Sequence, residues 1–203
     1  MSTLEQRLRA DAETILRASI GAVRPDSAVR RALEGAQFPG RVFLVAAGKA
    51  AWQMASVARE TLPALAGGVV VTKYGHGKGE IADVACYEGG HPVPDENSLR
   101  GTAAALTLTA NLRADDTVLF LLSGGGSALF EQPLLPLADL QDITRALLAA
   151  GADIVEINTV RKRLSAVKGG RFAAHCAPAQ VFSIVLSDIV GDPLDMIASG
   201  PAC

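Results

Sequence analysis

Three consecutive glycines between two serines form the segment of this sequence best suited to binding an anion. The segment is residues 123–127, and it directly follows the apolar run VLFLL. Glycines let backbone N–H groups approach an anion closely, and a helix beginning here would add the positive end of its dipole. The spacing matches neither G-x-G-x-x-G nor the Walker pattern. We interpret it as a phosphate-binding loop, with a flexible turn as the alternative; its members are Ser123, Gly124, Gly125, Gly126 and Ser127.

A lysine occupies a position that a helix normally disfavours. Lys49 follows Gly48 and the apolar run VFLVAA, where a helix should begin. A cation near a helix N-terminus opposes the helix dipole and costs about 0.3 kcal/mol or more. A bound phosphate would offset this cost, so we predict that Lys49 contacts a phosphoryl group. The alternative is an ordinary solvated lysine.

The stretch INTVRKRLSAVKGG predicts a helix with a cationic face. Asn158, Arg161, Lys162 and Ser165 are spaced at i, i+3, i+4 and i+7, so they share one side of that helix. A guanidinium group can bind a carboxylate or phosphate through two parallel hydrogen bonds. Because no acidic residue follows Glu156 before the last predicted strand, we predict that Asn158, Arg161 and Lys162 bind an anionic substrate. A solvated amphipathic face is the alternative.

Two carboxylates and a histidine complete the set of candidate residues. Asp188 ends an apolar strand and Asp192 follows four residues later. Carboxylates near a phosphate site hold magnesium or accept a proton from the attacking hydroxyl, so we assign Asp188 to either role and Asp192 to the metal. Asp192-Pro193 equally fits a turn. His91, in the loop GGHPVPD, is better suited to binding a substrate hydroxyl or carboxylate than to catalysis.

Strands and helices alternate along the chain, and this order predicts how the candidate residues are positioned. The apolar runs lack polar alternation, which is typical of strands covered on both faces. We therefore predict an α/β fold with a doubly wound, mostly parallel, Rossmann-like sheet and helices on both faces. Residues 1–203 are read as a single domain, with a helical segment over residues 1–35 packed outside it. Ligands bind beyond the carboxyl ends of such strands, so three polar loops should converge there.

Composition excludes several classes of function. The 203 residues carry a net charge of −2 and are 49% hydrophobic but only 4% aromatic. Without a basic excess or many aromatic rings, we expect no nucleic-acid binding and no anionic membrane surface as a partner. The sequence shows no signal peptide and no uncharged apolar run of about 20 residues. Three scattered cysteines suit reduced thiols, so we predict a cytoplasmic protein.

Five stretches of the sequence resemble the type-2 glycerate kinase family, whose members also carry the name hydroxypyruvate reductase. They are AAGKAA, EGGHPVPDENS, LLSGGGSAL, EINTVRKRLSAVKGGRFA and LSDIVGDPLDMIASGP, within residues 40–201. Lys49 matches the family's active-site lysine, and the SGGGS loop and Asp188 match positions expected to line its cleft. Two departures are Arg163 in place of a histidine and Ala202 in place of a threonine.

The resemblance implies transfer of the γ-phosphate of ATP to a hydroxyl of glycerate, usually the 2-hydroxyl, with Mg²⁺ as the cofactor. It also implies a two-domain protein whose active site lies in the cleft between the domains. The sequence stops about where the second domain would begin. We therefore expect the N-terminal domain alone, incomplete for turnover without its C-terminal partner domain. A homodimer is left open.

Two other functions are weighed against the kinase. An NAD(P)H-dependent hydroxypyruvate reductase should carry G-x-G-x-x-G after a strand and an acidic residue about 20 positions later, and this pair is not found. The other is a ligand-binding module that keeps the pocket but does not turn over.

Overall fold

The computed structural model describes residues 3–203, without the side chain of residue 154. Over this range five parallel strands form one sheet in the order β3-β2-β1-β4-β5. The predicted α/β fold with a parallel, doubly wound sheet is confirmed. The strands are β1 (Val42–Ala47), β2 (Gly67–Lys73), β3 (Val84–Gly89), β4 (Thr117–Ser123) and β5 (Gln180–Leu186).

The strand order creates a switch point between β1 and β4. From β1 the chain moves outward to β2 and β3, and it then returns to add β4 and β5 on the other side of β1. In open parallel sheets of this kind, ligands bind in the crevice outside the carboxyl ends of the strands at such a point. The loops that follow β1 and β4 are the ones that carry the predicted lysine and glycine segment.

Helices cover both faces of the sheet. They are α1 (Thr3–Ala22), α2 (Pro25–Leu33), α3 (Ala51–Thr61), α4 (Glu96–Leu108), α5 (Gly126–Leu129), α6 (Leu137–Ala149), α7 (Ile154–Arg163) and α8 (Arg171–His175), and a 3₁₀ turn spans Ile197–Ser199. No helix within residues 3–203 combines the length and the apolar character needed to cross a bilayer.

Alternate residues of the central strands enter two different cores. In β4, Leu119 and Leu121 pack on the side that contains α2 and α3. Phe120 faces the other core, where its ring lies 4.8 Å from that of Phe172 and 5.5 Å from that of Phe130. Every residue of β4 is buried. A strand covered on both faces needs apolar side chains throughout, which explains the unbroken apolar runs in the sequence.

The predicted helical segment over residues 1–35 contains two helices that differ in packing. In α2, Pro25, Val29 and Leu33 are buried, and the helix packs on α3. None of the described residues of α1 is buried, and its apolar residues, such as Leu8 and Ile15, are largely exposed. Residues 1 and 2 lie outside the described range. Only α2 therefore contributes to the core.

Candidate active site

The loops after β1 and β4 are joined by direct hydrogen bonds. The backbone N–H of Lys49 donates to the carbonyl of Gly124 at 2.9 Å, and the N–H of Ala50 donates to Oγ of Ser123 at 3.0 Å. Gly48 has φ of +123°, and a Cβ there would overlap Ser123. This close approach requires glycine, and it fixes Lys49 directly beside the glycine loop, residues 123–127.

Asp188 and His91 reach the same loop from two other strand ends. A Cβ built on Gly124 would overlap the carboxylate of Asp188 and lie 2.7 Å from its Cγ. A Cβ on Gly125 would lie 2.9 Å from Cδ2 of His91 and 3.3 Å from Cγ of Lys49. The structure thus brings Lys49, the glycine loop, His91 and Asp188 to one rim of the sheet. Their chemical roles stay predictions.

The glycine loop leads into a helix of a single turn. Gly125, with φ of +89°, precedes α5, which begins at Gly126. A Cβ on Gly126 would lie 2.6 Å from the Cβ of Ala198, so the loop also packs tightly against the 3₁₀ turn. The predicted helix start is present, but α5 spans only four residues. We therefore expect any anion binding by the loop to depend on its backbone N–H groups more than on a helix dipole.

The cation Arg161 has an internal carboxylate partner. Glu131 is wholly buried, and its Oε2 lies 3.2 Å from Nζ of the buried Lys168 and 3.5 Å from Nη2 of Arg161. The same nitrogen of Arg161 donates to the carbonyl of Ser127 at 2.8 Å, and Lys168 donates to that of Phe130 at 2.9 Å. The local sequence offers these cations no acidic partner after Glu156, but the fold supplies one from a distant part of the chain. Binding of substrate by Arg161 stays a prediction.

Lys162 and Asn158 also have protein partners. Nζ of Lys162 lies 3.1 Å from Oδ2 of Asp195. The hydroxyl of Ser199 donates to Oδ1 of Asn158 at 3.2 Å and lies 2.9 Å from Oγ of Ser127. Asn158 thereby connects α7 to the end of the glycine loop. Assignment of both residues to the substrate stays a prediction.

Burial and neighbouring charge change two pKa values near the site. Burial lowers the pKa of Lys168 to about 8, although Glu131 acts in the opposite direction. Burial, and then the positive charges of Lys49 and Lys73, lower the pKa of His91, while Asp188 opposes this change. Because the ordinary pKa of histidine is about 6.5, this lowering favours the neutral imidazole of His91 at neutral pH.

The two carboxylates are better suited to a metal site that phosphate and water complete than to a site made of protein ligands alone. Asp188 and Asp192 are both exposed, and Asp192 has φ of +48° in a turn closed by its N–H to the carbonyl of Ile189. Among the described residues, no group of three His, Cys, Asp or Glu side chains could hold a metal ion. Mg²⁺ commonly takes one or two carboxylates and completes its shell with phosphate oxygens and water. Asp188, beside the glycine loop, fits that arrangement.

A cavity next to Lys49 contains basic residues that the sequence analysis missed. It has a volume of about 330 Å³, and its lining includes Arg24, Gln53, His76 and Lys78 together with Lys49. His76 and Lys78 belong to the glycine-rich stretch that follows β2. The rule that ligands bind at strand ends would have singled out this stretch. Arg24 lies between α1 and α2, and no sequence signal connects it to the site.

Residues 11–203 match a family model described as a domain of unknown function (DUF4147). A D-glycerate 2-kinase of Thermotoga maritima is 58% identical, over 93% of this chain and 46% of its own length. A glycerate 2-kinase of Pyrococcus horikoshii is 46% identical, over 83% of this chain and 39% of its own length. A human glycerate kinase is 40% identical, over 96% of this chain and 43% of its own length. The chain thus spans less than half the length of each of these relatives.

Solved structures agree with this result. The crystal structure of a glycerate kinase from T. maritima has a TM-score of 0.86 and 55% identity, covering 97% of this chain and 48% of that one. A P. horikoshii protein also has a TM-score of 0.86, with 42% identity, covering 97% of this chain and 47% of that one. The resemblance to glycerate kinases stated from the sequence is confirmed, and the chain belongs to the DUF4147 family.

Proposed function

We propose that this chain forms the nucleotide- and acceptor-binding half of a kinase that transfers the γ-phosphate of ATP to a hydroxyl of glycerate, the 2-hydroxyl by preference. The observation that carries the proposal is the meeting of Lys49, the glycine loop and Asp188 at the switch point of the sheet. The names of the T. maritima and P. horikoshii relatives indicate the same reaction.

Phosphoryl transfer depends on positioning and charge neutralisation more than on covalent chemistry. In the proposed mechanism the N–H groups of the glycine loop hold the phosphates of ATP, and Lys49 neutralises oxygens of the transferring phosphoryl group. The acceptor oxygen bonds to the γ-phosphorus while the bond to the bridging oxygen of ADP breaks. Solvent takes the hydroxyl proton, or Asp188 takes it where Asp192 alone binds the metal.

Asp188, with Asp192 as the second candidate ligand, would hold Mg²⁺ at the rim. When bound, the ion supplies neutralisation of the phosphate charge. His91 would bind the acceptor through a hydrogen bond from or to a neutral imidazole, the form that its lowered pKa favours at neutral pH.

The chain is proposed to be one α/β domain of a larger enzyme. Lys49 and Asp188 are exposed, so this half supplies one wall of a site, and the relatives are about twice as long. A second domain would provide the opposite wall and exclude water, because water would otherwise compete with glycerate for the phosphoryl group. We also propose a cytoplasmic location, which supplies ATP and keeps the three free cysteine thiols reduced.

One alternative follows from a relative's name. A protein of Agrobacterium vitis with the name "Putative hydroxypyruvate reductase" is 42% identical over 80% of this chain. The glycine loop lacks the spacing of a dinucleotide-binding loop, and His91 and Lys49 lie against one side of Gly125. Both features favour the kinase.

The test uses a protein of the relatives' full length that contains this sequence. Mg²⁺–ATP and racemic glycerate are added, and phosphorus NMR follows the products. The kinase predicts ADP and a phosphoglycerate in equal amounts, with little ADP formed when glycerate is omitted. Steady oxidation of NADH by hydroxypyruvate without phosphoglycerate formation would replace the kinase with the reductase. Binding of ATP and glycerate without either product would leave a ligand-binding module.

A further inference from the structure

The cavity beside Lys49 collects positive charge from three separate parts of the chain. Arg24 comes from the turn before α2, Lys49 from the turn before α3, and Lys78 from the loop after β2, where His76 also lines the cavity. Its volume of about 330 Å³ is ample for a small organic acid. Arg24 reaches this cavity because α2 packs on α3, and the loop after β2 reaches it because β2 pairs with β1.

The positive charge of this cavity is only partly neutralised. Among the hydrogen bonds of the described residues, the acid that contacts a lining cation is Asp26, whose Oδ1 accepts from Arg24 at 3.3 Å and from Gln53 at 3.0 Å. Lys78 reaches only the amide oxygen of Gln53, at 3.4 Å. Neither Lys49 nor Lys78 forms an ion pair within residues 3–203. An oxyanion is the ligand that complements such a lining.

His76 is already oriented by the backbone of Lys49. Its Nδ1 lies 2.9 Å from the carbonyl oxygen of Lys49, so Nδ1 carries the hydrogen and donates it. This contact joins the loop after β2 to Lys49 and leaves Nε2 without a protein partner among the described residues. The imidazole therefore adds a polar atom to a cavity that also contains Arg24, Lys49 and Lys78.

We propose that this cavity binds the carboxylate of the acceptor, a 2-hydroxycarboxylate; this inference rests on the proposed kinase function. In such an acid the carboxylate carbon is bonded to the carbon that bears the reacting hydroxyl. The carboxylate must therefore lie immediately beside the transferring phosphoryl group. Lys49 meets this requirement because it lines the cavity and also lies beside the glycine loop, where its Cγ would be 3.3 Å from a Cβ built on Gly125.

The cations that the sequence predicts to bind the anionic substrate are less suited to its carboxylate. Arg161 is 8% exposed and pairs with Glu131, and Lys162 pairs with Asp195. An incoming carboxylate would have to compete with both pairs. Arg24 and Lys78 present more accessible charge, and Arg24 is restrained only by a weak exposed pair.

The test replaces Arg24→Met and Lys78→Met, singly and together, in the full-length enzyme. We expect each change to raise the KM for glycerate about tenfold, as for a lost charged hydrogen bond, while the KM for Mg²⁺–ATP changes by less than about twofold. Arg31→Met, on the exposed side of α2, is the matched control and should leave both constants unchanged. Lys78→Arg should recover much of the glycerate KM, which a merely structural defect would not.

A second acceptor isolates the carboxylate itself. Glycerol has hydroxyl groups like those of glycerate but no carboxylate, so the wild type should prefer glycerate strongly, and the double variant should lose most of that preference in kcat/KM. An unchanged preference, or a loss confined to the KM for ATP, overturns the inference while the kinase stands. A wild type that phosphorylates neither acceptor removes the kinase proposal and this inference with it.

Discussion

Lys49 combines a free side chain with a firmly held backbone. Its N–H donates to Gly124 and its carbonyl accepts from His76, while its side chain forms no hydrogen bond or ion pair with any described residue. Lys49→Met should therefore remove the charge without moving the loop. In the full-length enzyme we expect kcat to fall at least about a hundredfold, the usual loss for one preorganised electrostatic group. Steady-state kinetics measure this, with an unchanged melting temperature as the control.

An unchanged kcat in the Lys49→Met variant would remove this residue from the chemistry. A fall in kcat together with a lower melting temperature would mean that the loop, and not the charge, had been lost. In that second case, Lys49→Arg would also fail to restore folding or activity.

Gly124 tests the role of Asp188 without altering the carboxylate chemically. A Cβ at Gly124 would overlap that carboxylate and displace it. We expect Gly124→Ala to raise the Mg²⁺ concentration for half-maximal rate about tenfold, as for other changes that misplace a metal ligand. Gly21→Ala is the matched control, since nothing lies within 4 Å of its added Cβ. Identical Mg²⁺ dependence in both variants would argue that Asp188 does not hold the metal.

At the scale of helices and strands, the features that could be predicted from the sequence are those that depend on a local pattern of residues. The run at 42–47 became β1 with the same bounds, because a strand buried on both faces must be apolar throughout. Asp95 forms a capping box with Ser98 at the start of α4, an arrangement that depends only on neighbouring residues. The partner of Arg161 was not predictable, because Glu131 lies 30 positions earlier and follows the single-turn helix α5. Contacts of that kind depend on tertiary packing.

The buried cluster of Glu131, Lys168 and Arg161 ties α5 to α7 and the segment before α8. Lys168→Met would leave the carboxylate with Arg161 alone at 3.5 Å, so we expect a loss of about 3 kcal/mol in the free energy of unfolding. Adding Glu131→Gln should recover part of this loss, because the buried charge is then removed. Urea denaturation of the single and double variants measures the coupling. If the effects of the two substitutions on the free energy of unfolding were strictly additive, the proposed coupling between Lys168 and Glu131 would be wrong.

The same lysine makes stability depend on pH in a defined direction. Its pKa is about 8 in the folded protein and 10.5 ordinarily, so the unfolded chain binds more protons between these values. The contribution of Lys168 therefore rises as the pH increases from about 8 to 10.5. The free energy of unfolding is measured against pH for the wild type and for Lys168→Met, and the difference between the two curves isolates this rise. A difference that does not change with pH would contradict the lowered pKa of Lys168.

At the scale of the whole molecule, the fold separates into a sheet with its covering helices and a helix outside the core. The sheet, its two cores and the site at its carboxyl edge form one packed unit that begins at α2. In the described part of the chain, α1 buries no side chain and its internal contacts are short-range, such as the pair Arg17–Glu13. The predicted segment over residues 1–35 therefore contains a structural boundary near residue 23.

Deleting residues 1–20 tests that boundary. Hydrophobic stabilisation is about 25 cal/mol per Å² of apolar surface buried, and α1 buries almost none, so the free energy of unfolding should change by less than about 1 kcal/mol. The deletion retains Arg24, so the cavity beside Lys49 should keep its lining. Urea denaturation of the shortened and complete chains provides the measurement, and Leu33→Ala, which empties a core position of α2, is the destabilising reference. A loss as large as that reference would mean that α1 belongs to the cooperative unit.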